Sequence, residues 1–134
     1  MELIHLLDIA GTYAFAVSGA FRAVKYEMDI LGISVLAMAT GVGGGLIRDM
    51  LLGATPPAAL TDQSYIFICL AGAATVFFAA PKIARRWDYL MAADAVGLSV
   101  FAAIGASKAE SCGAVPLTVA MMAMMTACGG GVIR

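Results

Sequence analysis

Ionisable side chains are scarce in this sequence, and several stand inside long apolar runs. Arg48 and Asp49 follow Gly43-Gly44-Gly45 within the run that begins at Ile30, and Arg134 follows Gly129-Gly130-Gly131 in the same way. Asp8 and Asp94 stand about one turn inside other apolar runs. Arg22 and Lys108 follow them 14 positions later, about 21 Å along a helix axis. A charge at mid-membrane costs about 2.5–3.5 kcal/mol on insertion scales, so residues of this kind mark ion paths, relays or gates. Asp8 and Asp94 are expected to face the interior of a bundle and to pair with bases of the opposite half of the chain. Arg22 is expected to snorkel to the headgroups.

The glycine triplets carry the second signal. Glycine costs about 1 kcal/mol per helical position relative to alanine. Three together predict a loosened or kinked helix whose carbonyls are bared, which is tolerated at membrane depth only beside protein or a wet path. Close helix packing is the competing reading, since Gly41-x-x-x-Gly45 fits the small-xxx-small pattern. Gly11/Phe15/Gly19 and Gly97/Phe101/Gly105 place small residues on one helix stripe, a packing pattern. No serine–histidine or carboxylate constellation for catalysis is visible, so an enzyme is not expected. Cys69, Cys112 and Cys128 are far apart and form no Cys-x-x-Cys, so no metal or other cofactor is expected. Cys69 and Cys128 read as small buried residues and Cys112 as a loop residue. The methionines at 121, 122, 124 and 125 read as adaptable packing, and His5 as interfacial.

These residues need elements that cross a bilayer. The chain has 134 residues, 62% hydrophobic and 13% charged, with net charge -1. A soluble domain is roughly 45–50% apolar and about 25% charged, so a soluble globular enzyme is excluded. No basic surface for nucleic acid is evident. A spanning helix needs roughly 20 apolar residues, and five spans are expected: about Leu3 to Val24, Ile30 to Leu52, Gln63 to Pro81, Tyr89 to Ala109, and Ala114 onward. Without a positive n-region before it, the first is expected to stay as a membrane span. Pro56-Pro57, Pro81 and Pro116 punctuate the connections. Arg22 and Lys25 lie in one connection and Lys82, Arg85 and Arg86 in another on the same side. The positive-inside rule makes that side cytoplasmic and the N-terminus external, in a multi-pass protein of the cell (inner) membrane.

The chain also repeats itself at an offset of 86 residues, as from Asp8 to Asp94. Asp8-Ile9-Ala10-Gly11 matches Asp94-Ala95-Val96-Gly97, and Phe15-Ala16 matches Phe101-Ala102. Gly19-Ala20 matches Gly105-Ala106, Arg22-Ala23 matches Lys108-Ala109, and Thr40 matches Thr126. The glycine triplets and Ile47-Arg48 with Ile133-Arg134 complete the series. A unit of three spans must return from the opposite side, giving an inverted-topology repeat. The expected fold is an all-α polytopic membrane helix bundle of inverted three-helix repeats, residues 1–86 and an incomplete second copy over 87–134. The second copy stops at Arg134 before any counterpart of the third span, so the chain is expected to be a fragment of a longer protein.

The duplicated Gly-Gly-Gly-x-Ile-Arg, with Asp49 after the first copy, resembles the prokaryotic trimeric intracellular cation (TRIC) channel family. The paired Asp-x-x-Gly-x-x-x-Phe-Ala-x-x-Gly-Ala helices strengthen the likeness. Related bacterial sequences also carry a "glycine transporter" domain label. The resemblance implies a seven-helix subunit in a homotrimer, each subunit with its own pore for monovalent cations, chiefly potassium. It places Gly43–Gly45 and Gly129–Gly131 at kinks beside the pore, and Lys108 on the helix associated with voltage-dependent gating. Arg48, Asp49 and Arg134 would shape the path, with Asp8 and Asp94 as further pore charges. The expected function is a potassium-permeable channel with its pore between the repeats. The alternatives are a secondary transporter of a small amino acid such as glycine, or a membrane scaffold whose glycines only pack.

Overall fold

A computed structural model describes residues 2–83 and 86–134. Among these residues all regular structure is helical: α1 (Glu2–Lys25), α2 (Ile30–Leu51), α3 (Ala58–Thr61), α4 (Ser64–Ile83), α5 (Trp87–Ser111) and α6 (Pro116–Ile133). Helices α1, α2, α5 and α6 are long and apolar enough to cross a membrane, and α4 carries a shorter apolar stretch, Ser64–Ala79. This is the expected all-α membrane bundle. The single-turn α3 has no counterpart among the expected spans. Arg85, expected in the basic connection after α4, lies outside the described residues.

Local chemistry sets the helix ends. The Asp29 carboxylate accepts from the Gly32 amide at 2.8 Å and caps α2, satisfying an amide that has no partner within the helix. Pro116 occupies the first turn of α6, where its missing N–H costs nothing. The ends of α1 and α5 close alike. The Met28 amide donates to the Ala23 carbonyl at 3.1 Å, and the Ala114 amide to the Ala109 carbonyl at 3.2 Å. Both closures need a left-handed residue, Glu27 (φ 53°) in the first copy and Gly113 (φ 75°) in the second.

Two buried clusters hold the helices together. Ala16, Ala20 and Ala23 of α1 pack with Ile33 and Ala37 of α2 and with Cys69, Ala73 and Val76 of α4. Phe15 of α1 stacks on Phe101 of α5 with ring centroids 5.1 Å apart, beside Ile104. Lys25, at the end of α1, lies over the Trp87 ring at the start of α5 at 3.9 Å. The two helices therefore run antiparallel and cross near the phenylalanines. Phe78, Leu117, Met124 and Val132 are exposed, as expected of side chains that face lipid tails. Met122 is buried while Met121 and Met125 are exposed, so the methionine run covers both faces of α6. Cys69 is buried, but Cys128 is exposed, against expectation. An apolar run spans both faces of a helix, and Cys128 falls on the outer one. Cys112 is exposed at the end of α5.

The inverted repeat is visible in reciprocal contacts. A Cβ on Gly19 would fall 2.6 Å from Thr40 Oγ1 and 2.8 Å from the Leu36 carbonyl oxygen. One on Gly105 would fall 2.7 Å from Thr126 Oγ1 and 2.9 Å from the Met122 carbonyl oxygen. All three partners are shifted by the same 86 residues, as from Gly19 to Gly105. Between the copies, a Cβ on Gly44 would fall 2.5 Å from the Thr126 carbonyl oxygen, and one on Gly130 2.6 Å from that of Thr40. If i touches j′, then i′ touches j. That is the signature of a pseudo-twofold axis, which passes between Gly44 and Gly130 and between Phe15 and Phe101.

Candidate functional site

The glycine triplets do not interrupt their helices. Helix α2 runs through Gly43–Gly45 to Leu51, and α6 through Gly129–Gly131 to Ile133. A break in α2 at its triplet is therefore ruled out, while the kinks expected at Gly43–Gly45 and Gly129–Gly131 stay an expectation. The triplets instead let α2 and α6 approach at backbone distance, and tertiary packing outweighs glycine's low helix propensity. The six glycines are not equivalent. A Cβ on Gly129 would lie 3.1 Å from Gly44 Cα, and one on Gly43 would strike the Ile133 side chain. On Gly45 it would meet only Arg48 Nη2 at 3.8 Å, and on Gly131 nothing within 4 Å.

One turn beyond the crossing, α2 delivers Arg48 and Asp49 into the bundle. Asp8 Oδ1 accepts from Arg48 Nη1 at 3.1 Å, and Asp8 Oδ2 from the Tyr65 hydroxyl at 2.7 Å. Asp49 Oδ1 accepts from Arg48 Nε at 2.8 Å and from Lys108 Nζ at 3.3 Å. The Ala58 amide, at the start of α3, donates to Asp49 Oδ2 at 3.2 Å. Two carboxylates and two cations thus form one electrically balanced chain joining α1, α2, α3, α4 and α5. Arg48 is 1% exposed and Asp8 and Asp49 are nearly as buried, whereas the Lys108 side chain is 32% exposed. Beside this chain lies a cavity of about 10 Å³ lined by Thr12, Gly41 and Tyr65 among others, room for about one water.

The second copy builds the matching pair. Arg134 Nη1 donates to Asp94 Oδ1 at 2.8 Å and also to the Ser18 hydroxyl of α1. The pairing of Asp8 and Asp94 therefore differs from expectation, since each takes the arginine of its own copy. Inversion does bring acids and bases of different copies to one depth. Within a copy, however, the arginine after the glycine triplet is already beside the aspartate and forms the shorter link. The cross-copy pairing is Lys108 with Asp49. Arg22, the repeat equivalent of Lys108, is partly buried near the Tyr26 ring at 5.8 Å, and its Nε is buried without a partner. It does not simply snorkel outward.

Tyr65, Ser18 and α3 escape sequence reasoning. Thr40 and Thr126 were within its reach, because they align in the repeat. His5 is exposed and lies 3.5 Å from Asp62. The Ser64 amide, donating to Asp62 Oδ1 at 2.9 Å, holds the Asp62 carboxyl below its usual range. Among the described residues no three His, Cys, Asp or Glu side chains converge as a metal site.

Antiparallel repeats, crossing on glycine and joined by intramembrane ion pairs, define a polytopic membrane protein of the inverted-repeat class. Residues 5–81 and 91–134 match the family described as "Glycine transporter". A UPF0126 membrane protein of Deinococcus radiodurans is 43% identical over 99% of this chain and 62% of its own length. The UPF0126 inner membrane protein YadS of Escherichia coli K12 is 40% identical over 98% of this chain and 64% of its own length. The chain thus spans less than two thirds of the curated relatives it matches. The crystal structure of the TRIC trimeric intracellular cation channel orthologue from Rhodobacter sphaeroides superposes with a TM-score of 0.94. It is 42% identical, over 100% of this chain and 69% of that one. The chain belongs to the prokaryotic TRIC channel family, whose sequences carry the glycine-transporter label.

Proposed function

We propose that the protein is a monovalent cation channel, permeable to potassium, with the path between its two repeats inside each subunit of a homotrimer. The observation that carries this is the Asp8–Arg48–Asp49–Lys108 chain, which crosses from one repeat to the other inside the helix bundle and ends on a partly exposed lysine. The likeness to a solved TRIC cation channel supports it. Because α2 is continuous through Gly43–Gly45, the carbonyls of that triplet stay in helix hydrogen bonds. Cation preference then falls to Asp49 and its partners rather than to bared backbone. The single-water cavity beside them describes a closed path, and loss of the Lys108–Asp49 contact opens it. The basic connections face the cytoplasm of an inner membrane.

A small-amino-acid transporter of this class would place its substrate at an unwound helix near the midplane. Helix α2 runs unbroken through Gly43–Gly45 to Leu51, which favours the channel. The test is potassium flux into liposomes holding the full-length protein, with labelled glycine offered in parallel. Passive potassium flux independent of glycine is expected. Saturable glycine uptake without a cation leak overturns the reading.

A further inference from the structure

An apolar furrow of about 430 Å³ runs between α1, α4 and α5, apart from the charge chain. Val17 and Phe21 of α1, Val76 and Ala79 of α4, and Tyr89 and Ala93 of α5 line it. All three helices reach one end of the furrow with a base about one turn further on: Lys25 after Phe21, Lys82 after Ala79, and Arg86 before Tyr89. Lys82 and Arg86 are exposed. Lys25 is held at the mouth by the Trp87 ring, 3.9 Å from its ammonium. The acids at this end are Glu27, Asp29 and Asp88. Glu27 and Asp29 sit in the turn after α1, and Asp88 lies about 100° round α5 from Tyr89.

From this arrangement we infer that the furrow holds one acyl chain of an anionic phospholipid, whose phosphate is bound by Lys25, Lys82 and Arg86. An apolar trough alone accepts any lipid tail. Bases grouped at the end where a headgroup must lie select the anionic ones, because cationic side chains near the surface attract anionic lipid. Trp87 marks the headgroup level, where amphipathic rings settle. The site stands whether or not the protein conducts.

Trp87 is the only tryptophan of the chain, and it reports on the mouth directly. The protein is placed in phosphatidylcholine nanodiscs. It is titrated with phosphatidylglycerol, or with phosphatidylcholine, carrying bromines on the upper acyl positions. Quenching by the brominated phosphatidylglycerol is expected to half-saturate at a mole fraction at least tenfold lower. Each surface base contributes roughly fivefold to anionic-lipid affinity, so the double variant K82Q/R86Q shrinks the preference to roughly the fivefold that Lys25 alone sustains. Lys25 is left in place because it touches the reporting ring. Coincident curves in the unaltered protein overturn the site, and that comparison needs no variant to fold. A preference undiminished in K82Q/R86Q overturns it as well. Inorganic phosphate that abolishes the preference makes it a free-phosphate site. Cross-linking of A93C to a second copy, with loss of lipid quenching, makes the furrow a subunit interface. Either result overturns the lipid assignment.

Discussion

Arg48 is the side chain on which the buried charges depend. It is hydrogen-bonded to both Asp8 and Asp49, and all three are nearly inaccessible. Removing one partner of a buried pair costs about 3–5 kcal/mol, because it leaves a charge uncompensated. The loss is therefore unequal by design of the contacts. Arg48→Met strands Asp8 with only the Tyr65 hydroxyl, while Asp8→Asn leaves Arg48 on Asp49 and keeps an acceptor for Tyr65. The expected order of thermal stability in detergent is wild type, then Asp8→Asn, then Arg48→Met, with the last lower by about 3–5 kcal/mol. The double variant Asp8→Leu/Arg48→Met should recover a large part of that loss, since two matched apolar groups need no partner. Equal melting temperatures for the two single variants would contradict the contact scheme. Composition and position in the run mark these residues as buried. They do not say which acid meets which base, because that depends on a helix crossing. Tyr65 left no mark at all: one tyrosine at the start of an apolar span looks like an interfacial anchor.

At the scale of the helix, the repeat made most of the fold legible. A constant offset across Asp8/Asp94, Gly19/Gly105 and Thr40/Thr126 implies two copies of one three-helix unit, the second incomplete, and the antiparallel crossing follows from the inversion that an odd number of spans imposes. The glycine triplets were harder to read, because flexibility and close approach select the same residue. Substitution separates them. Gly44→Ala and Gly130→Ala each drive a methyl group against a carbonyl of the facing helix, and overpacking of this kind costs typically 1–3 kcal/mol. Gly131→Ala meets nothing within 4 Å and is expected to be neutral or to stabilise by about 1 kcal/mol. Thermal melts of the three variants decide it, since a hinge would be stiffened by alanine at any of these positions. The turn after α1 offers a second case. Glu27 adopts the left-handed conformation that Gly113 adopts in the other copy. A side chain there costs roughly 1–2 kcal/mol, so Glu27→Gly is expected to raise stability by about 1 kcal/mol, measured by the same melts.

For the whole molecule, the described parts of the two repeats share one backbone arrangement, each with an aspartate held by the arginine that follows its glycine triplet. The Asp8–Arg48 pair is sealed, with side chains 7% and 1% exposed. The first pair is a fixed scaffold. In the proposed channel the movable element is Lys108, which enters the network from the other repeat through a 3.3 Å contact and keeps access to solvent. A unit charge crossing the full membrane field gains about 2.3 kcal/mol per 100 mV, and Lys108 moves through only part of it. A channel gated in this way is expected to show a shallow voltage dependence, within reach of one ion pair that is not fully buried. Lys108→Gln removes both the sensor and the cation that neutralises Asp49. In planar bilayers it is expected to conduct at all voltages, with a flattened voltage response and stronger cation preference. Asp49→Asn frees Lys108 and is expected to weaken cation preference. The double variant tests whether the lysine acts through the aspartate. If it does, adding Lys108→Gln to Asp49→Asn changes the open probability far less than Lys108→Gln does alone. If the effects simply add, Lys108 gates elsewhere, and the Lys108–Asp49 contact is a structural tie between repeats rather than the latch.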